Sequence, residues 1–281
     1  MSIKHNHINK LVIIVPLLLL LACTNRSTNN QELSGKDEKK QETELRDVKI
    51  ISDLSDSNSD DLIEIDIGNL HLPTGKIIAG DPFFTEKARP FFRSVKPGTY
   101  PVRIYMTEVE ADHYRIAYAK IKFKNEYANN WILALRDDIK MENIADLKED
   151  EYIGFPVDGG LGCFLDVKTN ALYVYEFDSI YEQYSDYKMY NDLLTEEFLN
   201  YSSNNRYSGE QGDWNNHIVD IKSGLNVIMF TSGWGDGIYP AYWGYNDKKE
   251  TVELTIDFLV RPVDNLLLKK DLNEADPKSG N

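Results

Sequence analysis

Three segments of the chain alternate apolar and polar residues with a period of two, namely residues 100–107, 115–124 and 252–260. Successive side chains of a β-strand point to opposite faces, so this alternation predicts strands with one apolar and one polar face. Such strands are typical of antiparallel sheets that bury one face and leave the other in water. The apolar positions expected in the core are Val102, Ile104, Met106, Ala117, Ala119, Ile121, Phe123, Val252, Leu254, Ile256, Phe258 and Val260. The polar positions expected to face solvent are Lys120, Lys122, Lys124, Glu253, Thr255 and Asp257.

Turn residues between shorter apolar runs predict two antiparallel meanders. The first joins strands near 152–157, 161–167 and 171–177 through Asp158-Gly159-Gly160 and through residues 168–170. An Asp-Gly pair favours a hairpin, because the type I′ turn requires positive φ at both central residues. The sequence therefore predicts that the first two of these strands pair directly with each other.

The second meander and one helix complete the predicted fold. Strands near 225–230, 238–245 and 251–261 are separated by polar loops. Between residues 179 and 199, apolar and aromatic residues recur at spacings of three, four and seven, which predicts a helix. The expected fold class is α+β: mainly β, with one principal helix and antiparallel meanders that form a sandwich or a strongly curved sheet.

The N-terminus has the features of a bacterial secretory signal peptide over residues 1–22. Lys4 and Lys10 precede the apolar segment 11–22, which is shorter than the roughly 20 residues needed to span a bilayer. The segment ends in Leu20-Leu21-Ala22-Cys23, which resembles the bacterial lipobox. This resemblance implies cleavage before Cys23 and attachment of diacylglycerol to its thiol. The alternative is an uncleaved hydrophobic anchor with an incidental cysteine.

The remaining chain divides into three parts by composition. Residues 23–60 are expected to be the lipidated cysteine and a disordered tether, because this polar segment has too few apolar groups to offset its ordering entropy. A single folded domain is expected over 61–265 and a polar tail over 266–281. The expected location is the bacterial cell envelope, on the extracytoplasmic side, and the outer membrane if the host is Gram-negative. Acyl chains such as palmitate on Cys23 make the lipid membrane the first predicted partner.

Net charge and cysteine content limit the other molecules that the chain can bind and the disulfides that it can form. The chain has 46 acidic and 31 basic residues, a formal net charge of −15, which excludes nucleic acid as a partner because phosphate neutralisation needs clustered Lys and Arg. Once Cys23 is lipidated, Cys163 is left without a second thiol and cannot form an internal disulfide. It lies in an apolar run, so we expect a buried, unreactive thiol.

The loop Ser232 to Gly237 carries the most suggestive candidate chemistry. Its glycines permit positive φ and close backbone approach, and two of them flank the carboxylate of Asp236. Trp234 offers a flat face for a sugar or a cation. The structural alternative is a wide hairpin loop in which Asp236 caps backbone N–H groups and Trp234 covers the core.

Two further aspartates precede turn signals, Asp81 before Pro82 and Asp158 before Gly159. Each has a structural explanation as a turn residue. The functional hypothesis is that Asp81, Asp158 and Asp236 converge at one end of the sheet. Three carboxylates there would hold a divalent cation, with Asp236 as the best metal-ligand candidate, or divide acid and base roles. The candidate binding residues are Asp81, Asp158, Trp234 and Asp236, while the catalytic residues and the cofactor stay unknown.

Several motifs in fixed order resemble a bacterial family classed as domain of unknown function 4241. The resemblance covers about residues 70–262 and implies one compact domain, and it assigns no catalytic residue, substrate or cofactor. The motifs are Gly80-Asp81-Pro82, Val157-Asp158-Gly159-Gly160 with Gly162 and Asp166, and Ser232-Gly233-Trp234-Gly235-Asp236-Gly237-Ile238-Tyr239, supported by Tyr100-Pro101-Val102, Trp131 and Tyr242-Trp243-Gly244.

Two main functional hypotheses follow. The first is a lipid-anchored domain without catalytic activity that binds another envelope or secreted molecule. The alternative is a metal-dependent envelope hydrolase that uses the carboxylates of the Asp81, Asp158 and Asp236 loops. The chain lacks the H-E-x-x-H, G-x-S-x-G and G-x-x-x-x-G-K-[ST] motifs, which favours the first. A third hypothesis is a toxin-neutralising partner whose acidic surface complements a basic toxin.

Overall fold

Strands dominate the part of the chain that the structure describes. The structure is a computed structural model and describes residues 50–51, 54, 61–139, 153–183, 193–261 and 267–268. The helices are α1 (Val167–Gln183) and α2 (Thr195–Ser202), and a short 3-10 turn spans Thr85–Lys87. The strands are β1 (Ile50–Ile51), β2 (Ile63–Leu72), β3 (Ile77–Gly80), β4 (Gly98–Glu110), β5 (His113–Lys122), β6 (Asn130–Leu133), β7 (Phe155–Val157), β8 (Leu161–Asp166), β9 (Trp214–Asp220), β10 (Leu225–Thr231), β11 (Gly237–Tyr239), β12 (Ala241–Tyr245), β13 (Thr251–Asp257) and β14 (Leu267–Leu268).

The strands form two larger antiparallel sheets. One has the order β2-β4-β5-β13-β12-β6 and the other the order β3-β8-β10-β9. Two short ribbons, β7 with β11 and β1 with β14, are also antiparallel. The predicted fold class is therefore confirmed: the domain is mainly β, of the α+β class, and is built from antiparallel sheets.

The two larger sheets share one apolar core. Alternate residues of β4, β5 and β13, among them Ile104, Ile121 and Ile256, join Phe164 and Ile228 of the second sheet in a single buried cluster. The opposite face of the four-stranded sheet is covered by the helices through Tyr173 and Phe177 of α1 and Phe198 of α2. The described elements thus stack as two sheets and a helical layer, because both faces of the smaller sheet are apolar.

Five of the six polar positions predicted to face solvent are buried, so the prediction is wrong for these five, whereas Lys124 is partly exposed. Lys120, Glu253, Thr255 and Asp257 are almost fully inaccessible, and Lys122 is also buried. Lys120 Nζ donates to Glu253 Oε1 (3.2 Å), and Lys122 Nζ donates to Glu253 Oε2 (2.6 Å). Neighbouring strands supply these opposite charges in register, so the charges neutralise one another and the face can be covered.

Two carboxyls on this buried face have pKa values that shift in opposite directions. Burial by itself would raise the pKa of Glu253, but the charges of Lys120 and Lys122 outweigh it and lower that pKa to about 2. Burial raises the pKa of Asp257 to about 6, although the backbone N–H of Leu259 donates to its Oδ1 at 2.8 Å. Glu253 has two lysine partners at bonding distance, whereas the nearest partner of Asp257 is a neutral amide.

The strand predicted near 171–177 is wrong, because this segment belongs to helix α1. Asp166 Oδ1 accepts a hydrogen bond from the backbone N–H of Lys168 (2.8 Å), which is the contact of a helix N-cap. Tyr173 and Phe177, four residues apart, then face the sheet together. The expected turn at 168–170 is therefore the first turn of α1. The helix predicted over 179–199 coincides with the end of α1 and the start of α2, and residues 184–192 lie outside the described residues.

The hairpin predicted at Asp158-Gly159-Gly160 is also wrong. Strand β7 pairs with β11, whereas β8 pairs with β3 and β10, so this loop connects the ribbon to the four-stranded sheet. The second predicted meander is confirmed for β12 and β13, which pair directly. Its first strand, β10, pairs with β8 and β9 instead.

Ordered contacts extend past the domain boundaries predicted at 61 and 265. Ile50–Ile51 pairs with Leu267–Leu268, and Leu54 is fully buried, with its carbonyl oxygen accepting from Lys120 Nζ at 2.8 Å. The predicted signal peptide, Cys23, most of the tether and most of the tail lie outside the described residues. In the part of the chain that is described, no helix is both long and apolar enough to cross a bilayer.

The raised pKa of Asp257 predicts a specific pH dependence of stability. An aspartate whose pKa is higher in the folded state stabilises the fold at low pH, and this stabilisation is lost as the pH rises from about 4 to about 6. Asp257→Asn should remove this contribution to the change of the unfolding free energy with pH. The free energy of unfolding of the variant, relative to the wild type, should therefore rise by about 3 kcal/mol between pH 4 and pH 7. Chemical denaturation at each pH measures it, and a difference that stays constant would refute the assignment.

Candidate functional site

The carboxylate of Asp81 fixes the loop between β7 and β8. Asp81 follows β3 and is buried, with 4% of its surface exposed. Its Oδ2 accepts from the backbone N–H groups of Asp158 (2.8 Å) and Gly159 (2.7 Å). Its Oδ1 accepts from the N–H of Phe83 (2.9 Å). Charge-assisted bonds of this kind are among the stronger ones in proteins, so Asp81 attaches loop 158–160 to the end of β3.

Gly159 is required here by close packing. A Cβ at this position would lie 2.4 Å from Cδ2 of Phe83, which is closer than nonbonded carbon atoms approach. Gly160 has a φ of 68°, in the left-handed region that glycine adopts without strain. The Asp-Gly-Gly sequence therefore serves a tight connection between two sheets rather than a hairpin.

Asp236 joins the glycine-rich loop 232–237 to the same connection. Its Oδ1 accepts from the N–H of Gly160 (3.1 Å), and the N–H of Ser232 donates to the carbonyl oxygen of Gly160 (3.0 Å). The ribbon formed by β7 and β11 ends at the pair Val157–Gly237, so Asp158 and Asp236 follow one step beyond it. The side chains of Asp158 and Asp236 are exposed, in contrast to Asp81.

The three predicted aspartates therefore lie around one loop, but two of them already bond to backbone N–H groups. Asp81 holds loop 158–160 from the buried side, and Asp236 holds it from the exposed side. Among the described residues, no group of three or more His, Cys, Asp or Glu side chains is placed to hold a metal ion. The shared cation site stays a prediction, and the contacts themselves are those of structural acceptors.

Trp234 packs against an arginine that sequence reasoning missed. The guanidinium carbon of Arg115 lies 4.6 Å from the centre of the indole ring, and Arg115 Nη1 donates to the carbonyl oxygen of Gly233. The indole N–H donates to the carbonyl oxygen of Leu259 (3.2 Å), and 55% of Trp234 is exposed. Arg115 comes from the β4–β5 hairpin, far away in the chain, so no local motif links it to this loop.

A cleft of about 320 Å³ opens beside this loop. Its walls are the tip of the β4–β5 hairpin, the loop that follows α2, the start of loop 232–237 and Gly160. The ring centres of Tyr114 and Tyr207 lie 5.0 Å apart in an edge-to-face pair. The guanidinium carbon of Arg206 lies 4.6 Å from the centre of the Tyr207 ring. The titratable and aromatic side chains around the cleft are Asp112, His113, Tyr114, Arg115, Arg206, Tyr207 and Asp213.

Helix α2 fixes the wall that carries Arg206. Glu197 of α2 accepts from Asn215 Nδ2 (2.6 Å) and lies 3.0 Å from His217 Nδ1, so the helix is attached to β9. Burial would raise the pKa of Glu197, but these partners outweigh it and lower that pKa. The hydroxyl of Ser202, at the end of α2, accepts from the N–H of Asp213 (2.9 Å). These bonds fix both ends of loop 203–213.

The cleft arginines carry charge that is not neutralised by a salt bridge. The ion pairs of arginines in the described part of the chain involve Arg89, Arg103, Arg136 and Arg261, and neither Arg115 nor Arg206 is among them. Both instead stack on an aromatic ring. The only sequence signal was an arginine next to a tyrosine at 114–115 and at 206–207, which is too common to identify a site.

These features define a β-rich α+β sandwich with a polar, aromatic cleft formed by its loops. The chain belongs to the family described as "Protein of unknown function (DUF4241)", whose sequence model matches residues 70–256. The resemblance drawn from the sequence motifs is thus confirmed at the level of the family. No curated protein and no solved structure matches the chain.

The contacts predict that Asp81 and Asp158 differ sharply in their contribution to stability. Asp81→Asn replaces an acceptor oxygen by an amide that faces N–H donors, so the free energy of unfolding should fall by about 1–3 kcal/mol. Asp158→Asn is the matched control. It changes an exposed side chain and should stay within about 0.5 kcal/mol of the wild type. Denaturant unfolding measures both, and equal effects would contradict the role given to Asp81.

Proposed function

We propose that this protein is a lipid-anchored binding module of the bacterial cell envelope, without catalytic activity, and that the cleft beside loop 232–237 is its binding site. The observation that carries the proposal is the cleft itself. Within the described residues its arginines form no ion pair and stack on aromatic rings, whereas the carboxylates of Asp81 and Asp236, which suggested catalysis, bond to backbone N–H groups.

The sequence around Cys23 supports the anchor. A charged start, a short apolar segment and Leu20-Leu21-Ala22-Cys23 are the features that direct lipid attachment to a cysteine. Two or more acyl chains bind a membrane stably, since each buried CH₂ contributes about 0.8 kcal/mol. The proposed location is the extracytoplasmic face of the envelope, and the outer membrane if the host is Gram-negative.

The architecture supports a binding role. Binding residues in many proteins lie on loops that a rigid scaffold positions, and this cleft is lined mainly by loops and a hairpin tip of the sandwich. Its volume of about 320 Å³ is at the lower end of the range for ligand pockets. The proposed partner is a small envelope or secreted molecule, or a group that such a molecule presents. Nucleic acid is not a proposed partner, because the chain has a net charge of −15.

The anchor is tested with Cys23→Ala in the natural host. The wild-type chain should fractionate with membranes and carry a mass increase from acylation, and Cys23→Ala should lose both. Cys163→Ala is the matched control, since Cys163 is buried in the core and burial raises the pKa of its thiol. If Cys23→Ala still carries the lipid mass, the proposed anchor is wrong.

The alternative is a metal-dependent envelope hydrolase that uses Asp81, Asp158 and Asp236, with a divalent cation as cofactor. The exposed pair Asp158 and Asp236 at the end of the ribbon is the observation in its favour. Thermal unfolding with EDTA, Ca²⁺, Mg²⁺ or Zn²⁺ separates the two functions. A bound metal at 100 times its Kd adds about 2.7 kcal/mol of stability. The binding module predicts no such shift, whereas a shift that Asp236→Ala abolishes would favour the hydrolase.

A further inference from the structure

We propose that the cleft binds a small organic carboxylate, with Arg206 as the principal residue for its charge. This inference rests on the proposed binding function and names the class of ligand that the cleft takes. The local sequence alone argues against an anionic ligand, because the charged side chain of loop 232–237 is that of Asp236, which would repel an anion. The fold changes this by bringing two arginines to the loop from other parts of the chain.

Arg206 has the properties of a ligand-binding arginine. It is exposed at the wall of the cleft and is absent from the ion pairs of the described residues, although acidic residues outnumber basic ones 46 to 31 in the chain. Its guanidinium stacks over the ring of Tyr207 at 4.6 Å. A stacked guanidinium keeps its N–H donors around the edge of its plane, where they can meet a planar carboxylate.

Arg115, which also lines the cleft, adds positive potential. One of its N–H groups is used by the carbonyl oxygen of Gly233, and its face is covered by Trp234. Its Nε is buried and has no hydrogen-bond acceptor in the described structure. Arg115 is therefore a positioning residue that fixes loop 232–237, and its charge raises the potential of the cleft without direct contact to the ligand.

Aromatic rings provide an apolar surface for the body of the ligand. Tyr114 and Tyr207 form an edge-to-face pair at 5.0 Å, which fixes both ring planes next to Arg206. Aromatic rings pack well against flat apolar groups. Gly160, Gly209 and Gly235 add no side chain to the lining, which leaves room for a ligand. A small aromatic carboxylate matches both the rings and the arginine.

Two carboxylates in the lining limit the charge of the ligand. Asp213 bonds to the N–H of Gly209 (2.7 Å) and to the hydroxyl of Thr231 (3.2 Å), and Asp112 lies exposed at the hairpin tip. Their negative charge lies in the same lining as the positive charge of the two arginines. These carboxylates would repel a dense polyanion such as pyrophosphate more strongly than a ligand with a single carboxylate. The cleft therefore favours a monoanion.

The test uses the full chain, purified in detergent, and titration calorimetry with benzoate at constant ionic strength. Wild-type protein should bind benzoate saturably and more tightly than acetate, inorganic phosphate or pyrophosphate. Arg206→Gln should weaken benzoate binding by about tenfold or more. Asp112→Asn should tighten it about two- to fivefold, since it removes a competing charge, and asparagine tolerates the φ of 59° at this position. Arg89→Gln, an exposed arginine outside the cleft, is the matched control and should bind like the wild type.

Three results would overturn the proposal. They are absence of saturable benzoate binding, binding that Arg206→Gln leaves unchanged while circular dichroism shows a native fold, and tighter binding of phosphate or pyrophosphate than of benzoate. Each of these outcomes is independent of the Cys23 experiment, which tests the anchor alone. Failure of the carboxylate inference and failure of the proposed anchor are therefore distinguishable. If a different ligand binds and Arg206→Gln leaves that binding unchanged, the protein is still a binding module, but the inference that it binds a carboxylate through Arg206 is wrong.

Discussion

The candidate site depends on one carboxylate, that of Asp81, and on the three backbone N–H groups that it accepts from. Loop 158–160 belongs to neither larger sheet alone, because it leaves the ribbon at β7 and enters the four-stranded sheet at β8. Asp81 attaches this connection to the end of β3. Gly160 then bonds to both Ser232 and Asp236, so the position of the glycine-rich loop follows from that of loop 158–160. The packing of Arg115 on Trp234 completes the wall of the cleft.

A second constraint acts within the six-stranded sheet, which buries charged side chains on the face opposite its apolar core. Glu253 is bonded by Lys120 and Lys122, and it also accepts from the indole N–H of Trp131 (3.0 Å). A buried charge network of this kind is costly to disrupt, because removing one member leaves the others unpaired in a medium of low polarity. The sheet is therefore fixed on both faces, by an apolar core on one and by paired charges on the other. The β4–β5 hairpin, which forms one wall of the cleft, extends from this rigid support.

Local pattern was enough to predict several strands but not their partners. Alternation identified β4, β5 and β13 and their core positions, such as Ile104 and Ile121, because period-two patterning is a local property. Pairing is not local: β8 lies between β3 and β10, and no residue of β8 indicates this. The burial of Lys120 likewise depends on Glu253, a residue more than 100 positions away. Residues 171–177 of helix α1 form a short run of apolar and aromatic residues, which by itself does not distinguish a strand from a helix, whereas the N-cap at Asp166 favours the helix.

The candidate site was predictable in part for the same reason. Asp81, Asp158 and Asp236 stand next to glycine or proline, which is a local signal for tight loops, and all three lie around loop 158–160. Arg115 and Arg206 lie in segments without such a signal, so only the fold brings them to the cleft. Amide hydrogen exchange of Asp158 and Gly159 tests the central claim most directly. Loop amides that donate to a buried carboxylate should exchange slowly in the wild type and fast in Asp81→Asn. Unprotected exchange of both amides in the wild type would contradict the account.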